Sequence, residues 1–202
     1  TVSITTYAEL KSAIADFLNR DDLTSTIPTF ISLGEAQIAR DVRHWKQEKR
    51  VTTSVDERYE NLPNDWIELK LITLSTGAML ETVAPSNMAD MRARSDTPGV
   101  PKYVRMTADQ LEFYPTPSAA TDISMLYYAR TPALSDASPT NWLLSDAPDV
   151  LLYASLIHSA PYLAEDARVQ IWGSLYQSGV EKLNIENQRG RVTGPMRMGI
   201  PR

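Results

Sequence analysis

His44 and His158 are the only imidazoles in the 202-residue sequence, and there is no cysteine. Thiolate nucleophiles, disulfides and cysteine-based zinc sites are thereby excluded, and a multi-histidine metal site would have to draw on both rings of one chain. His158 falls in the most apolar stretch with no acid three or four residues away, which reads as a packed core histidine rather than a general base. His44 lies among Arg40, Arg43 and Lys46, cations that disfavour its protonated form, and it reads as part of a solvated helix face. None of the serines stands in a nucleophile-elbow pattern, and Ser75-Thr-Gly-Ala78 reads as a turn between strands. The acid pairs Asp56 with Glu57, and Glu165 with Asp166, fall at a turn and at a helix start, where carboxylates belong for structural reasons. The eight glycines form no phosphate-cradling cluster at a helix start. The expectation is therefore no catalytic residues, no metal site and no cofactor.

The elements that carry these residues belong to an ordinary globular composition. At 43% hydrophobic and 22% charged, the chain can bury one full core without disulfides or metal. No stretch approaches the roughly 20 apolar residues of a membrane-spanning helix. Thr1 to Tyr7 lacks the basic start and apolar run of a secretory signal, so a cytoplasmic origin is expected. The net charge of −5 is uneven: Gln188 to Arg202 carries Arg189, Arg191, Arg197 and Arg202 and no acid, leaving −9 on residues 1–187. An acidic body repels phosphate backbones at long range. The basic end reads as an arm that docks into a neighbouring protein and orders there, with contact to DNA phosphates as the other possibility.

Thr6-Tyr-Ala-Glu9 is a capping-box pattern, and Tyr7, Leu10, Ile14, Phe17 and Leu18 recur at helical spacing, which predicts a helix over about Tyr7 to Asn19. Pro28 suits the first turn of a second helix, capped near Thr26. Its stripe of Phe30, Ile31, Gly34, Ile38, Val42 and Trp45 carries it to about Gln47. From Lys49 to about Thr131 the texture turns to short β-branched runs punctuated by Pro, Gly, Asn and Asp. It predicts strands at Arg50–Val55, Ile67–Leu74, Met79–Thr82, Tyr103–Met106, Leu111–Tyr114 and Ile123–Ala129, with one short helix over Pro85–Arg94.

Asp146-Ala-Pro-Asp149 then offers a cap and an early proline for a third helix from about Ala147, which Pro161 should kink or end. Its apolar residues, Val150, Leu151, Leu152, Tyr153, Leu156, Ile157, Tyr162 and Leu163, cover too wide an arc for one solvated face. It is expected between layers or at a subunit contact. Glu165-Asp166 starts a fourth helix with a seam of Val169, Trp172, Tyr176, Val180 and Leu183, and periodicity fades beyond about Asn187. The expected class is α+β. Residues 1–48 and 146–187 form a helical bundle, 49–145 a β-rich antiparallel insertion, and 188–202 an extended basic arm. Trp45, Trp66, Trp142 and Trp172 are expected as core or interface anchors.

The order of Leu111-Glu-Phe-Tyr-Pro-Thr-Pro117, Leu126-Tyr-Tyr128, Pro132-Ala-Leu-Ser-Asp136, Thr140-Asn-Trp-Leu-Leu144, Ala147-Pro-Asp149 and Leu152-Tyr-Ala154 resembles that of bacteriophage head-to-tail adaptor proteins. Leu62-Pro-Asn-Asp-Trp-Ile-Glu-Leu69, Val83-Ala-Pro-Ser86 and Thr97-Pro-Gly-Val-Pro-Lys-Tyr103 are similar to the family too. The matches run from about residue 60 to the end, and the two N-terminal helices agree in type and placement.

The resemblance implies a non-enzymatic ring subunit, usually in twelve copies, fastened under the portal of a tailed phage. It would join capsid to tail in the virion neck and line the DNA passage. Its partners would be the portal protein, tail nozzle or tail-fibre proteins and its own copies, with double-stranded DNA passing unread and no membrane involved. In this picture Leu151, Tyr153, Leu156, Trp172 and Tyr176 are candidate lateral contacts. Arg189, Arg191, Arg197 and Arg202 would bond carboxylates of the portal or a neighbouring subunit. Two other readings stay open, a phage tail-associated cell-wall hydrolase and a DNA-binding module that uses the basic arm.

Overall fold

Helix α1, Tyr7–Leu18, opens on the predicted capping box. The Thr6 hydroxyl accepts from the Glu9 amide at 3.3 Å, and the Glu9 carboxylate accepts from the Thr6 amide at 3.0 Å, satisfying two otherwise orphaned donors. The computed structural model describes residues 4–20, 22–163 and 167–191, with Arg191 described by its backbone alone.

Helix α2, Ile27–Asp41, has Pro28 in its first turn, and Thr26 holds the cap position without a side-chain bond. The helix stops at Asp41 and not at Gln47: Val42 is extended, and a separate 3-10 turn spans Trp45–Gln47. The misreading has a physical cause. Val42 is buried from an extended backbone just as it would be from a helix, so apolar spacing alone does not report the break.

After the strands come α4, Trp142–Asp146, and α5, Pro148–His158. The short α4 was not anticipated; it is capped by Asn141, whose Oδ1 accepts from the Leu144 amide at 2.9 Å. Asp146 therefore ends one helix and does not cap the next. Its carboxylate pairs with Lys46 at 2.6 Å, while Ala147 takes the cap position of α5 without a side-chain bond. Beyond α5 a 3-10 turn spans Ala160–Tyr162, where Pro161 forbids further α-helix.

Helix α6, Arg168–Arg191, sets Trp172, Tyr176 and Leu183 inward. Gln188 to Arg191, expected in the arm, extend this helix instead. Glu165, Asp166 and residues 192–202, with Arg197 and Arg202, lie outside the described residues.

The chain divides into two compact units, Thr1–Gln47 with Thr131–Arg202, and Glu48–Arg130. Residues 131–145, expected with the strands, group with the helices. Bonds to α1 and α2 hold them there: the Tyr7 amide donates to the Pro139 carbonyl at 2.8 Å and the Leu134 amide to Glu35 Oε1 at 2.8 Å. In this helical unit α5 packs against α1, α2 and α6, and Leu10, Ile14, Phe30, Ile31, Leu151 and Leu156 are the centre of the core.

The strand unit holds β1 (Glu48–Val55), β2 (Tyr59–Asn61), β3 (Trp66–Leu74), β4 (Glu81–Thr82), α3 (Pro85–Arg94), β5 (Tyr103–Thr107), β6 (Gln110–Tyr114) and β7 (Thr121–Ala129). They form two sheets, in the orders β1-β7-β3 and β2-β6-β5-β4, with antiparallel pairing throughout save for the parallel β4–β5 pair. Period-two alternation puts Ile123, Met125 and Tyr127 of β7 into a core shared with Val55, Ile72, Leu111 and Phe113. With six α-helices and two sheets among the described residues, the fold is α+β.

Candidate interaction site

The histidines take up structural positions. His44, expected on an exterior helix face, is 1% exposed, because the extended Val42 turns the chain inward after α2. Its ring stacks on Trp142 with centroids 5.2 Å apart and lies 5.5 Å from the Trp45 ring. Its Nδ1 accepts from the Lys46 amide at 3.3 Å, and the His44 amide donates to Gln47 Oε1 at 2.8 Å. His158 ends α5 with Nε2 buried and unbonded among the described residues. Burial, and then the nearby Arg40 charge, hold its pKa below the ordinary imidazole value, so the ring is kept neutral. Asp56 and Glu57 are exposed between β1 and β2, and among the described residues no group of three or more His, Asp or Glu is placed to hold a metal ion.

The residues expected as lateral contacts belong to, or pack against, the core of the helical unit. Leu151, Leu156, Trp172 and Tyr176 are buried within the single chain, and Tyr153 is half-buried against the same core. The wide apolar arc of α5 is covered by helices of its own unit, α2 and α6 foremost. Gly179 lets α6 come close, since a Cβ there would meet Val150 Cγ2 at 2.6 Å. The Tyr176 hydroxyl donates to Asp41 at 2.6 Å; burial first, and this carboxylate second, drive its pKa far up. Apolar side chains that do reach the surface of this unit include Phe17, Leu33, Ile171 and Leu175.

The last turns of α6 are fastened to the segment between α2 and the strands. Asn187 Nδ2 donates to the Arg43 carbonyl at 2.8 Å, and its Oδ1 accepts from the Trp45 amide at 3.0 Å. One amide side chain thus closes two main-chain groups that the break in α2 leaves outside helical bonding. One turn on, Gly190 lies against the Trp45 indole so closely that a Cβ would meet Nε1 at 2.8 Å. Trp142, His44, Trp45 and Gly190 follow one another in contact, with the His44 ring stacked on Trp142 and tilted 35° to Trp45, and with Lys46 Nζ 5.5 Å from the Trp45 ring centroid. Arg189 is exposed on this turn.

In the strand unit a carboxylate that drew no notice in the sequence holds a hub. Glu112, 1% exposed, sits on the face of β6 opposite Leu111 and Phe113. Its Oε1 accepts from Arg58 Nε at 2.8 Å and Arg92 Nε at 3.0 Å, and Oε2 lies 3.0 Å from Arg105 Nη2. Arg92 also pairs with Asp96 at 2.5 Å and donates to the Phe113 carbonyl at 2.6 Å. Burial raises the Glu112 pKa, but the hydrogen bonds from Arg58 and Arg92 outweigh it and hold the carboxyl below its ordinary range. Alternation within β6 could have marked Glu112 as opposite the apolar pair; its partners lie 54, 20 and 7 positions away, and only the topology joins them.

A family model described as SU10 adaptor protein matches residues 5–199, a span that takes in both units and most of the basic end. No curated protein matches the sequence.

Proposed function

Since the chain belongs to the SU10 adaptor protein family, we propose that it is a structural adaptor of a tailed phage, a ring subunit seated under the portal that joins capsid to tail and surrounds the DNA passage. The observation that carries this reading is the span of the family match, which takes in the helices, the strand unit and most of the basic segment. The chemistry of the site agrees with a mechanical role. The histidines are packed or neutral, and the charged hub is spent on internal ion pairs.

The mechanism is assembly. Each copy offers two different faces to its neighbours, and the rotation closes into a ring. Lateral contacts fall to side chains exposed on the helical unit, such as Leu33, Ile171 and Leu175, since the interior of α5 is already filled. The basic segment after α6, with Arg197 and Arg202, bonds carboxylates of the portal or of an adjacent copy. The acidic remainder, −9 over residues 1–187, does not grip a moving duplex, because a wall that attracted phosphates would brake it. No helix among the described residues is long and apolar enough to cross a membrane.

Light scattering tests the reading. The purified chain is expected to have the mass of a monomer alone and to add a ring of copies when mixed with portal rings of the same phage. A portal mass unchanged by excess chain overturns it.

A further inference from the structure

The end of α6 is held by a contact that the fold's core does not require. Asn187 and Gly190 fasten the last turns to Arg43 and Trp45, outside the seam of Trp172, Tyr176 and Leu183 that attaches the rest of the helix. Isolated helix ends fray, and a terminal turn holding Gly190 so near its end has weak intrinsic propensity to stay wound. Here the two hydrogen bonds of Asn187 and the bare backbone of Gly190 against the indole keep it wound to Arg191. The basic segment 192–202 continues from this fixed point.

We propose that the Asn187–Gly190 clasp on Trp45 is a positioning device that aims the basic segment at its protein partner. Asn187 itself touches no partner. The inference rests on the reading of that segment as the portal-binding element. A fixed root confines the volume that a tethered segment searches and so raises its effective concentration at the docking site; a loosened root dilutes it without altering any docking contact.

Two substitutions separate this from a general effect on folding. Asn187→Ala deletes both hydrogen bonds, and Gly190→Ala pushes the half-exposed Trp45 indole aside. Both raise helix propensity, which works against the unwinding that loss of the clasp would otherwise allow, and circular dichroism reads whether the last turn stays wound. Binding of each full-length variant to portal rings is measured beside the wild type and a deletion of residues 192–202, with helicity and thermal midpoint followed by circular dichroism. The expected result is a loss of affinity on the order of tenfold for both variants, with helicity unchanged or higher and with a synthetic 188–202 peptide competing equally against the wild type and the two variants. If the deletion abolishes binding while Asn187→Ala and Gly190→Ala bind as the wild type does, the clasp has no positioning role. If the deletion itself binds normally, the portal-binding reading of the segment fails, and the clasp inference goes with it.

Discussion

The helical unit and the strand unit each bury an apolar core, but the strand unit adds to its own a buried charged hub. Around α5 the contacts are aliphatic and aromatic, and their strength lies in packed volume. On the face of β6 away from the apolar core, one carboxylate is held by three guanidiniums, and the strength of this hub lies in charge balance. Volume is insensitive to pH and suffers from cavities; charge balance tolerates no missing partner and responds to protons. The two units should therefore fail under different insults. Trp66 reports on the strand unit, while Trp45, Trp142 and Trp172 report on the helical unit.

The largest expected effect is from Glu112→Ala. It leaves Arg92, with a side chain 9% exposed, and Arg105 facing each other without their anion. A loss of about 3–5 kcal/mol is expected, read as a lower urea midpoint of the Trp66 signal or of hydrogen exchange in β5 and β6; an unchanged midpoint would mean that water already screens the hub. Next is Leu151→Ala, which opens a cavity at a fully buried site of α5 and is expected to cost about 2–5 kcal/mol in the helical unit alone. Co-destabilisation of both units by either change would break the contrast between them.

Acid sharpens the comparison. The Glu112 pKa is depressed in the fold, so its contribution is present above the ordinary carboxylate range and is lost as pH falls through the folded value. Glu35 in the helical unit is the reverse. Burial raises its pKa, against the opposing effect of the bond that its Oε1 accepts from the Leu134 amide at 2.8 Å. Its contribution is full below the ordinary value and lost as pH rises through the folded one. Thermal melts between pH 7 and pH 3 are expected to show the strand unit weakening first, and Glu35→Gln should flatten the opposite trend in the helices. The smallest effect is Tyr176→Phe, which removes the bond to Asp41 at about 1 kcal/mol; calorimetry showing no change would mean that the bond adds nothing to stability.

Much of this division was legible from residue order. The Thr6–Glu9 cap, the short helix at Pro85, and six of the seven strands follow from local chemistry, because each depends on neighbours within a few positions. The three-residue β2 and five-residue α4 are too short to show a period. The wide apolar arc of α5 foretold how much of it is covered; by whom it is covered is a property of topology, and the cover is supplied by its own chain. His44 was misplaced because its basic neighbours suggest an exterior, while one extended residue, Val42, reverses the facing. Gly190 falls in the stretch expected as an extended arm, yet it is the place where a missing side chain lets the helix rest on Trp45. The arginines that hold Glu112 are dispersed over the β1–β2 turn, α3 and β5 and carry no local signature.

Hydrogen exchange of the chain, free and bound to portal rings, is the most direct test of whether partners meet its surface and its basic end while its interior is complete beforehand. Amides of α5 should be equally protected in both states, with new protection appearing toward the C-terminal end on binding. Protection of α5 that arises only in the assembly would contradict this, because it would mean that the core closes between copies and not within one.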